Sequence, residues 1–410
     1  MGVRAEQTAT LRRELLASAA EHFERSGFTR ARLTDIAAGA GVTTGAFYRY
    51  FPTKLDVFYV LFEQYADAVT AAVVDCRSLE DLCQAWLEVH ASHVGCLRAA
   101  EEIANNDADL RARHAGFRQV WAAAAFSHLD AEPDTGVRRI LSYVAIDVLD
   151  YLVFTRWHGW STVEPESVAF SLAQVLREGF FPESLRDAGR GGQSPADQQT
   201  VTRPEPPPVR WTVAKGRIEP TSARGRAQRD AVVRSAMAVF AAQGYEHSSI
   251  GDIAAHAGVS AATVYRYFQD KRDVFGFLLA DAEQALWARG TFMIDEDGRV
   301  RVGEAVRRFM EARERDAAVY VVWRELLGSD AEVEQMWVRL RSDFHEGLAR
   351  VIGRCQRLGT VPSEHDPAVA AELIVAMFDG TAHSRFDLGW TYGLATADLA
   401  AAMTSRMGPD

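Results

Sequence analysis

Residues Asp35 to Phe58 read DIAAGAGVTTGAFYRYFPTKLDVF, and residues Asp252 to Phe275 read DIAAHAGVSAATVYRYFQDKRDVF. The two stretches align without a gap at a constant offset of 217 and are identical at 15 of 24 positions. The register extends upstream, where Phe23, Gly27 and Phe28 stand opposite Phe240, Gly244 and Tyr245. The chain therefore reads as two copies of one unit of roughly 200 residues joined by a linker.

Each stretch has the pattern of a helix, a tight turn and a second short helix. In the first copy Ile36, Ala37 and Ala40 fall on one helical side, Gly41 supplies the turn and Val42 is expected to enter the core. Thr43 stands where an N-cap belongs. A helix over Thr44–Tyr50 then begins with backbone N–H groups that have no partner within the helix and with small side chains, which allow close approach to another surface. Phe47 and Phe51 make its buried face and leave Thr44, Gly45, Ala46, Tyr48 and Arg49 pointing outward. A third helix starts at once: Thr53-Lys54-Leu55-Asp56 is a capping box, and Asp270-Lys271-Arg272-Asp273 is a comparable cap. A helix N-terminus beside Lys54 or Lys271 suits a phosphate. Tyr48, Arg49 and Tyr50, with Tyr265, Arg266 and Tyr267, add hydroxyl and guanidinium donors that position a protein on DNA without reading its sequence.

The order D-I-A-x-x-A-G-V-[ST]-x-x-x-x-Y-R-Y-F-x-x-K-x-D-V-F resembles the DNA-binding domain of tetracycline-repressor-like (TetR-family) regulators in both copies. The resemblance implies that the short helix beginning at Thr44 or Ala261 enters the major groove. It also implies that the Tyr, Tyr and Lys positions contact phosphate, and that the remaining helices form a ligand-binding and dimerisation domain. The DNA-contacting set so implied is Thr43, Thr44, Gly45, Ala46, Tyr48, Arg49, Tyr50 and Lys54 in the first copy. In the second it is Ser249, Ser260, Ala261, Ala262, Thr263, Tyr265, Arg266, Tyr267 and Lys271. Two features depart from the family pattern. The Thr or Ser usual before the Asp-Ile-Ala helix is matched by Ser248 and Ser249 but replaced by Ala31 and Arg32 in the first copy. The family also normally carries one repeat per chain.

At 410 residues, 48% apolar and 25% charged, the chain has an ordinary globular composition with length for two or more cores. Met1 to Leu16 contain no apolar run resembling a signal peptide, and no long apolar stretch suggests a membrane span, so a cytoplasmic location is expected. Cys76, Cys83, Cys96 and Cys355 are too few and too unevenly spread for a disulfide framework. The net charge of −11 is unevenly distributed: residues 1–58 carry eight Lys/Arg against six Asp/Glu, and residues 210–273 ten against six. Those segments sum to +6 and the rest to −17, so positive charge gathers where the helix-turn-helix units lie.

The expected fold is all-α. A first amphipathic helix covers Ala9–Arg25, a long one runs from Lys54 to about Val74, and others cover about Leu79–Val94, Leu110–Leu129, Val137–Thr155 and Glu166–Phe180. The apolar spacing of Val137–Leu152 and Val168–Leu176 marks the pair that, by the resemblance, forms a four-helix bundle with a partner. Leu373, Ile374, Met377 and Phe378, then Leu394 to Met407, supply that partner within the same chain. The domains are accordingly 1–58 and 226–275 for the two DNA-binding units, 59–181 and 276–410 for the two bodies, and 182–225 for a Pro/Gly-rich linker. About 40 linker residues reach at most roughly 130 Å extended and about 35 Å as a coil, enough to join two units side by side. Thr291 to Val302, with Asp297-Gly298 as a turn signal, reads as a loop or small hairpin.

Apolar cavity candidates are Trp86, Phe117, Trp121, Tyr143, Tyr151 and Trp157 in the first body, and Phe309, Trp323, Trp337, Phe344, Phe378 and Trp390 in the second. Aromatic residues on helices are ordinarily core, so these form a shortlist for an apolar or aromatic effector. His90 and His93 lie one turn apart near Cys83, but nothing completes a metal set, and neither a metal nor a cofactor is expected. No nucleophile elbow, phosphate-binding Gly loop or paired carboxylates support an enzyme. The expectation is a ligand-responsive DNA-binding regulator, a repressor in preference to an activator, whose two copies pair within one chain as a pseudo-dimer, the alternative being that two chains pair and present four readers. Its two non-identical readers would recognise an asymmetric or imperfectly palindromic duplex site. The competing expectation is a small-molecule binding or sequestering protein that no longer grips DNA.

Overall fold

Apolar residues recurring at three- and four-residue spacing become helices throughout the computed structural model, with no strand among the described residues. The described residues are 3–104, 107–128, 135–157, 160–161, 163–178, 220–288, 302–326, 330–357 and 366–382. The first copy contributes α1 (Val3–Arg30), α2 (Leu33–Gly39), α3 (Thr44–Phe47), α4 (Lys54–Val74), α5 (Leu79–Ala91), α6 (Val94–Ala104), α7 (Ala108–Ser127), α8 (Thr135–Trp157) and α9 (Pro165–Glu178). The second contributes α10 (Ala223–Gln243), α11 (Ile250–His256), α12 (Ala261–Tyr267), α13 (Lys271–Ala288), α14 (Val302–Arg315), α15 (Ala317–Leu326), α16 (Ala331–Arg357) and α17 (Pro367–Ala382). The readings of 291–302 as a loop and 394–407 as a helix lie outside the described residues. So does the linker reading, except at its end, where Ser222 already caps α10.

The chain falls into two units. The first holds Met1–Gly179 and, from far along the sequence, Glu372–Thr381; the second is drawn mainly from Phe180–Ala371. This corrects one expectation, because Phe378 belongs with the first unit rather than with the second body. The physical reason is the composition of α17, in which every residue from Val369 to Ala382 is buried. A helix buried on all sides, even at Glu372, Asp379 and Thr381, has neighbours on all sides.

In the first unit α1 packs along α6, and α4 packs on α5, α6 and α7. The helix α4 is long and apolar enough to cross a membrane by those criteria alone, the one such helix among the described residues. Its stripe of Val57, Phe58, Leu61, Phe62, Tyr65, Ala66, Val69 and Val73 is buried within the unit, as befits a core helix. The expected helix over Leu79–Val94 stops at Ala91, and a separate helix, α6, follows that the apolar pattern did not reveal. The buried side of α6 is Gly95, Cys96, Ala99 and Ile103. Small residues carry little apolar signal, yet they let two helices approach closely. A Cβ added at Gly95 would lie 2.0 Å from the Ala20 carbonyl oxygen of α1. Beside this contact Arg98 donates to the Glu24 carbonyl at 2.6 Å, and the Thr29 backbone N–H donates to Glu102 Oε2 at 2.7 Å.

The Gly95→Ala substitution is therefore expected to force α1 from α6 and cost about 1–3 kcal/mol. Gly116→Ala, with nothing within 4 Å of the new methyl, should be neutral or stabilising. Denaturant unfolding of the two variants side by side checks the contrast.

Candidate DNA-binding site

Each helix-turn-helix is built on the same local devices. Gly41 and Gly258 take φ of 70° and 66°, the left-handed turn that lets the second helix leave the first at a sharp angle. Thr43 accepts from the Ala46 N–H at 3.3 Å, and Ser260 from the Thr263 N–H at 3.2 Å, so both reader helices start on side-chain caps. Phe47 and Val264 are fully buried at equivalent positions, with Phe51 and Phe268 behind them. That anchoring fixes which way each reader faces. Tyr48 and Tyr265 remain 54% and 57% exposed, and Arg49 and Arg266 are exposed beside them. Thr43, Gly45, Ser249, Ser260, Ala261 and Ala262 are likewise exposed, while Thr44, Ala46, Tyr50 and Thr263 are half-buried.

Three implied contacts sit deeper. Tyr267 is buried, and its hydroxyl donates to Gln228 Oε1 at 3.1 Å. The Lys54 ammonium donates to the carbonyls of Phe28 at 2.5 Å and Ala31 at 2.9 Å and lies over the Phe28 ring. Lys271 repeats the arrangement with the carbonyls of Tyr245 at 2.6 Å and Ser248 at 3.0 Å, over the Tyr245 ring. Each lysine thereby ties the start of a long helix to the turn that precedes α2 or α11. Burial lowers the Lys54 pKa, an effect opposed by the Glu102 carboxylate.

The copies differ in two places. Ser249 and Asp252 form a reciprocal capping box at α11, the Asp252 N–H donating to Ser249 Oγ at 3.1 Å and the Ser249 N–H to Asp252 Oδ2 at 2.9 Å. At α2 the N-cap is Arg32, which makes no side-chain cap. The reader α12 is a continuous helix of 7 residues, whereas α3 spans 4 and not the expected Thr44–Tyr50. Beyond Phe47 the first reader tightens into turns, with the Arg49 N–H on the Ala46 carbonyl and the Tyr50 N–H on that of Phe47. Gly45 stands where the second copy has Ala262, the substitution most adverse to helix short of proline.

Among the effector candidates, Trp86 and Trp121 pack edge to face at 5.0 Å in a buried cluster with Tyr65, His90 and His114. Phe117 stacks on Trp121 at 6.2 Å, and Tyr143 is half-buried. The Tyr151 hydroxyl donates to Asp379 at 3.2 Å. Phe309, Trp323 and Trp337 are buried, the last two with centroids 4.1 Å apart, and Phe344 is half-buried. The side chains of Trp157 and Trp390 lie outside the described residues. Sequence reasoning missed the charges among the first set: Arg118 is fully buried and pairs with Asp147 and Asp150, while Trp86 Nε1 donates to Asp150 at 3.0 Å. The nearby Tyr65 hydroxyl and His90 Nε2 lie 2.8 Å apart. No group of metal-ligating residues occurs among the described residues.

A scaffolded pair of exposed, N-capped short helices carrying tyrosine and arginine defines a helix-turn-helix DNA-binding protein. The signature of "Bacterial regulatory proteins, tetR family" matches residues 15–59 and again 232–276. The chain thus carries two copies of the tetR-family DNA-binding domain. It is 26% identical over 190 residues to the HTH-type transcriptional repressor BepR of Brucella suis biovar 1, covering 44% of this chain and 88% of BepR. It is 27% identical over 131 residues to the HTH-type transcriptional regulator EthR of Mycolicibacterium smegmatis, covering 30% and 60% of the two chains. Among solved structures, the fatty acid degradation regulator FadR from Bacillus halodurans aligns with a TM-score of 0.37 at 18% identity, over 45% of this chain and 94% of that one.

Two outcomes test the local chemistry. Lys54→Met leaves buried carbonyls without their cation and is expected to cost about 1–3 kcal/mol, while Arg49→Ala leaves stability unchanged within about 0.5 kcal/mol; thermal unfolding separates the two. The second concerns His114, whose imidazole burial and the Arg118 guanidinium push from 6.5 down to about 3. The unfolded chain takes up this proton below about pH 6.5 and the folded one does not, so stability falls with pH by about 1.4 kcal/mol per unit. Asp150 is held below the usual carboxylate range, chiefly by Arg118 working against its burial, and so keeps its charge in this window. His345, pushed from 6.5 down to about 3 by burial and the Arg341 guanidinium, adds a similar loss, so in melting at pH 7 and pH 5 His114→Gln should lessen the loss by about 2 kcal/mol without abolishing it.

Proposed function

We propose that this chain is a ligand-responsive transcriptional repressor that reads an asymmetric or imperfectly palindromic operator with two non-identical readers. The observation that carries the reading is the pair of scaffolded readers whose outward faces differ, Thr44-Gly45-Ala46 in one and Ala261-Ala262-Thr263 in the other. A homodimer presents the same face twice, whereas this chain presents two. The repressor assignment follows BepR, which is named as one.

Pairing of the two copies inside one chain is part of the proposal. It is supported by the inclusion of Glu372–Thr381 in the first unit, where Asp379 receives the Tyr151 hydroxyl. Joining two readers raises the effective concentration of the second once the first is bound. The half-sites then lie about one helical turn apart or slightly more. An apolar or aromatic effector, held in one or both bodies by residues such as Trp86 and Trp121 or Trp323 and Trp337, shifts the population away from the DNA-binding state. In the first unit the route to the reader is α6, through Gly95, Arg98 and Glu102. In the second, Arg272 at the start of α13 pairs with Asp330 at 3.4 Å and Glu332 at 3.1 Å before and within α16. DNA binding places the working protein in the cytoplasm.

Footprinting across a salt series on DNA flanking the chain's own coding sequence, with mass measured in solution, tests the reading. The expected result is a single chain protecting one short asymmetric site with affinity falling steeply as salt rises. Arg49→Ala and Arg266→Ala should each lower the salt slope by about 1 if the guanidinium meets a phosphate. Absence of protection at low salt would refute DNA binding and leave the small-molecule binding reading.

A further inference from the structure

We infer that the two readers are graded: α11–α12 is a preformed primary anchor, and α2–α3 is an under-organised secondary reader that completes its fold on DNA. The inference rests on the regulator reading above and adds which half of the operator is read strictly. Both readers begin on a capped N-terminus, so the grading does not arise there. It arises at two positions 13 residues apart in the sequence, Arg32 and Gly45, opposite Ser249 and Ala262.

At Arg32 the helix that frames the reader starts with no side-chain acceptor for its first N–H groups. The other half of the missing box is already present. Asp35 stands three residues on, as Asp252 does from Ser249, and its Oδ1 takes the Thr34 hydroxyl at 3.2 Å instead. At Gly45 the reader carries a residue that favours the unfolded turn, and α3 ends after 4 residues where α12 continues for 7. The side chains beyond that end are Tyr48, Arg49 and Tyr50, the donors offered to DNA. A reader that must order its last turn on binding has its affinity reduced by the fraction of time it is already ordered. Each defect reduces that fraction by about fivefold on the usual cost of a lost cap or an interior glycine.

Both defects are reversible by transplanting the second copy's residues. Arg32→Ser supplies the partner that Asp35 lacks, and Gly45→Ala adds a methyl whose nearest neighbour, Thr43 Oγ1, is 3.9 Å away. Neither change threatens folding. The test is selection of binding sites by the full chain from randomised DNA duplexes, for the wild type, the Arg32→Ser/Gly45→Ala variant, and Thr44→Ala and Thr263→Ala, which alter the outward face of one reader each, to assign each half-site to its reader. The expected wild-type result is one sharply defined half-site whose preference changes in Thr263→Ala and one degenerate half-site whose preference changes in Thr44→Ala. The transplant should sharpen the degenerate half and tighten binding to a fixed selected duplex by roughly fivefold to 25-fold. Two equally defined half-sites, or a weaker half unmoved or weakened by the transplant, would overturn the grading while leaving the regulator reading intact. No enriched sequence for any variant would overturn both.

Discussion

In each copy one lysine ammonium, that of Lys54 or Lys271, is held by the carbonyls at the turn ahead of the helix-turn-helix, over an aromatic ring. Carbonyls at the end of a helix and in a turn have no intrahelical partners, and a cation satisfies several of them at once. The same lysine is the first residue of α4 or α13. A single side chain thus closes the short helices against the long one that runs into the body. Geometry of the reader and orientation of the long helix become one variable. Whatever displaces the start of α4 also displaces the carbonyls around it.

The bodies are attached to these closed readers by different means. In the first unit α6 lies against α1 with backbone-to-backbone closeness at Gly95, and Glu102 reaches the Thr29 N–H at the far end of the same contact. In the second, α10 and α13 pack on α15, and a partly exposed ion pair runs from Arg272 to Asp330 and Glu332. Close packing transmits small displacements stiffly, while exposed ion pairs yield and are screened by salt. Among the described residues of the second unit the charged interior around Arg118 has no counterpart of the same composition; there Glu283 accepts from the Tyr320 hydroxyl at 2.8 Å beneath Arg313. The repeat preserves the reader and not the body.

The reader was legible in the sequence because its constraints are local: a glycine at each left-handed turn, a hydroxyl at each N-cap, an aromatic or β-branched residue at each buried position. The long helix from Lys54 was legible for the same reason, down to its capping box and its end at Val74. What escaped depends on distant partners. The helix α6 shows its face in small residues, whose role appears only when α1 lies across them. Lys54 carries the charge of a phosphate contact, and nothing local says that carbonyls 23 and 26 residues upstream already hold it. Phe378 sits in a helix of the second copy by sequence and in the first unit by packing. The shortening of α3 was written at Gly45, but the matching motif around it gave the two readers one length.

The pair of differently capped helices, α2 and α11, also bears on how such a chain changes over generations. In a symmetric dimer one codon governs both recognition surfaces, so every substitution is applied twice and a new site must be acquired in both halves together. Here the codons for Arg32 and Ser249 are separate, and so are those for Gly45 and Ala262. One half can drift to a new sequence while the other keeps the molecule on the old one.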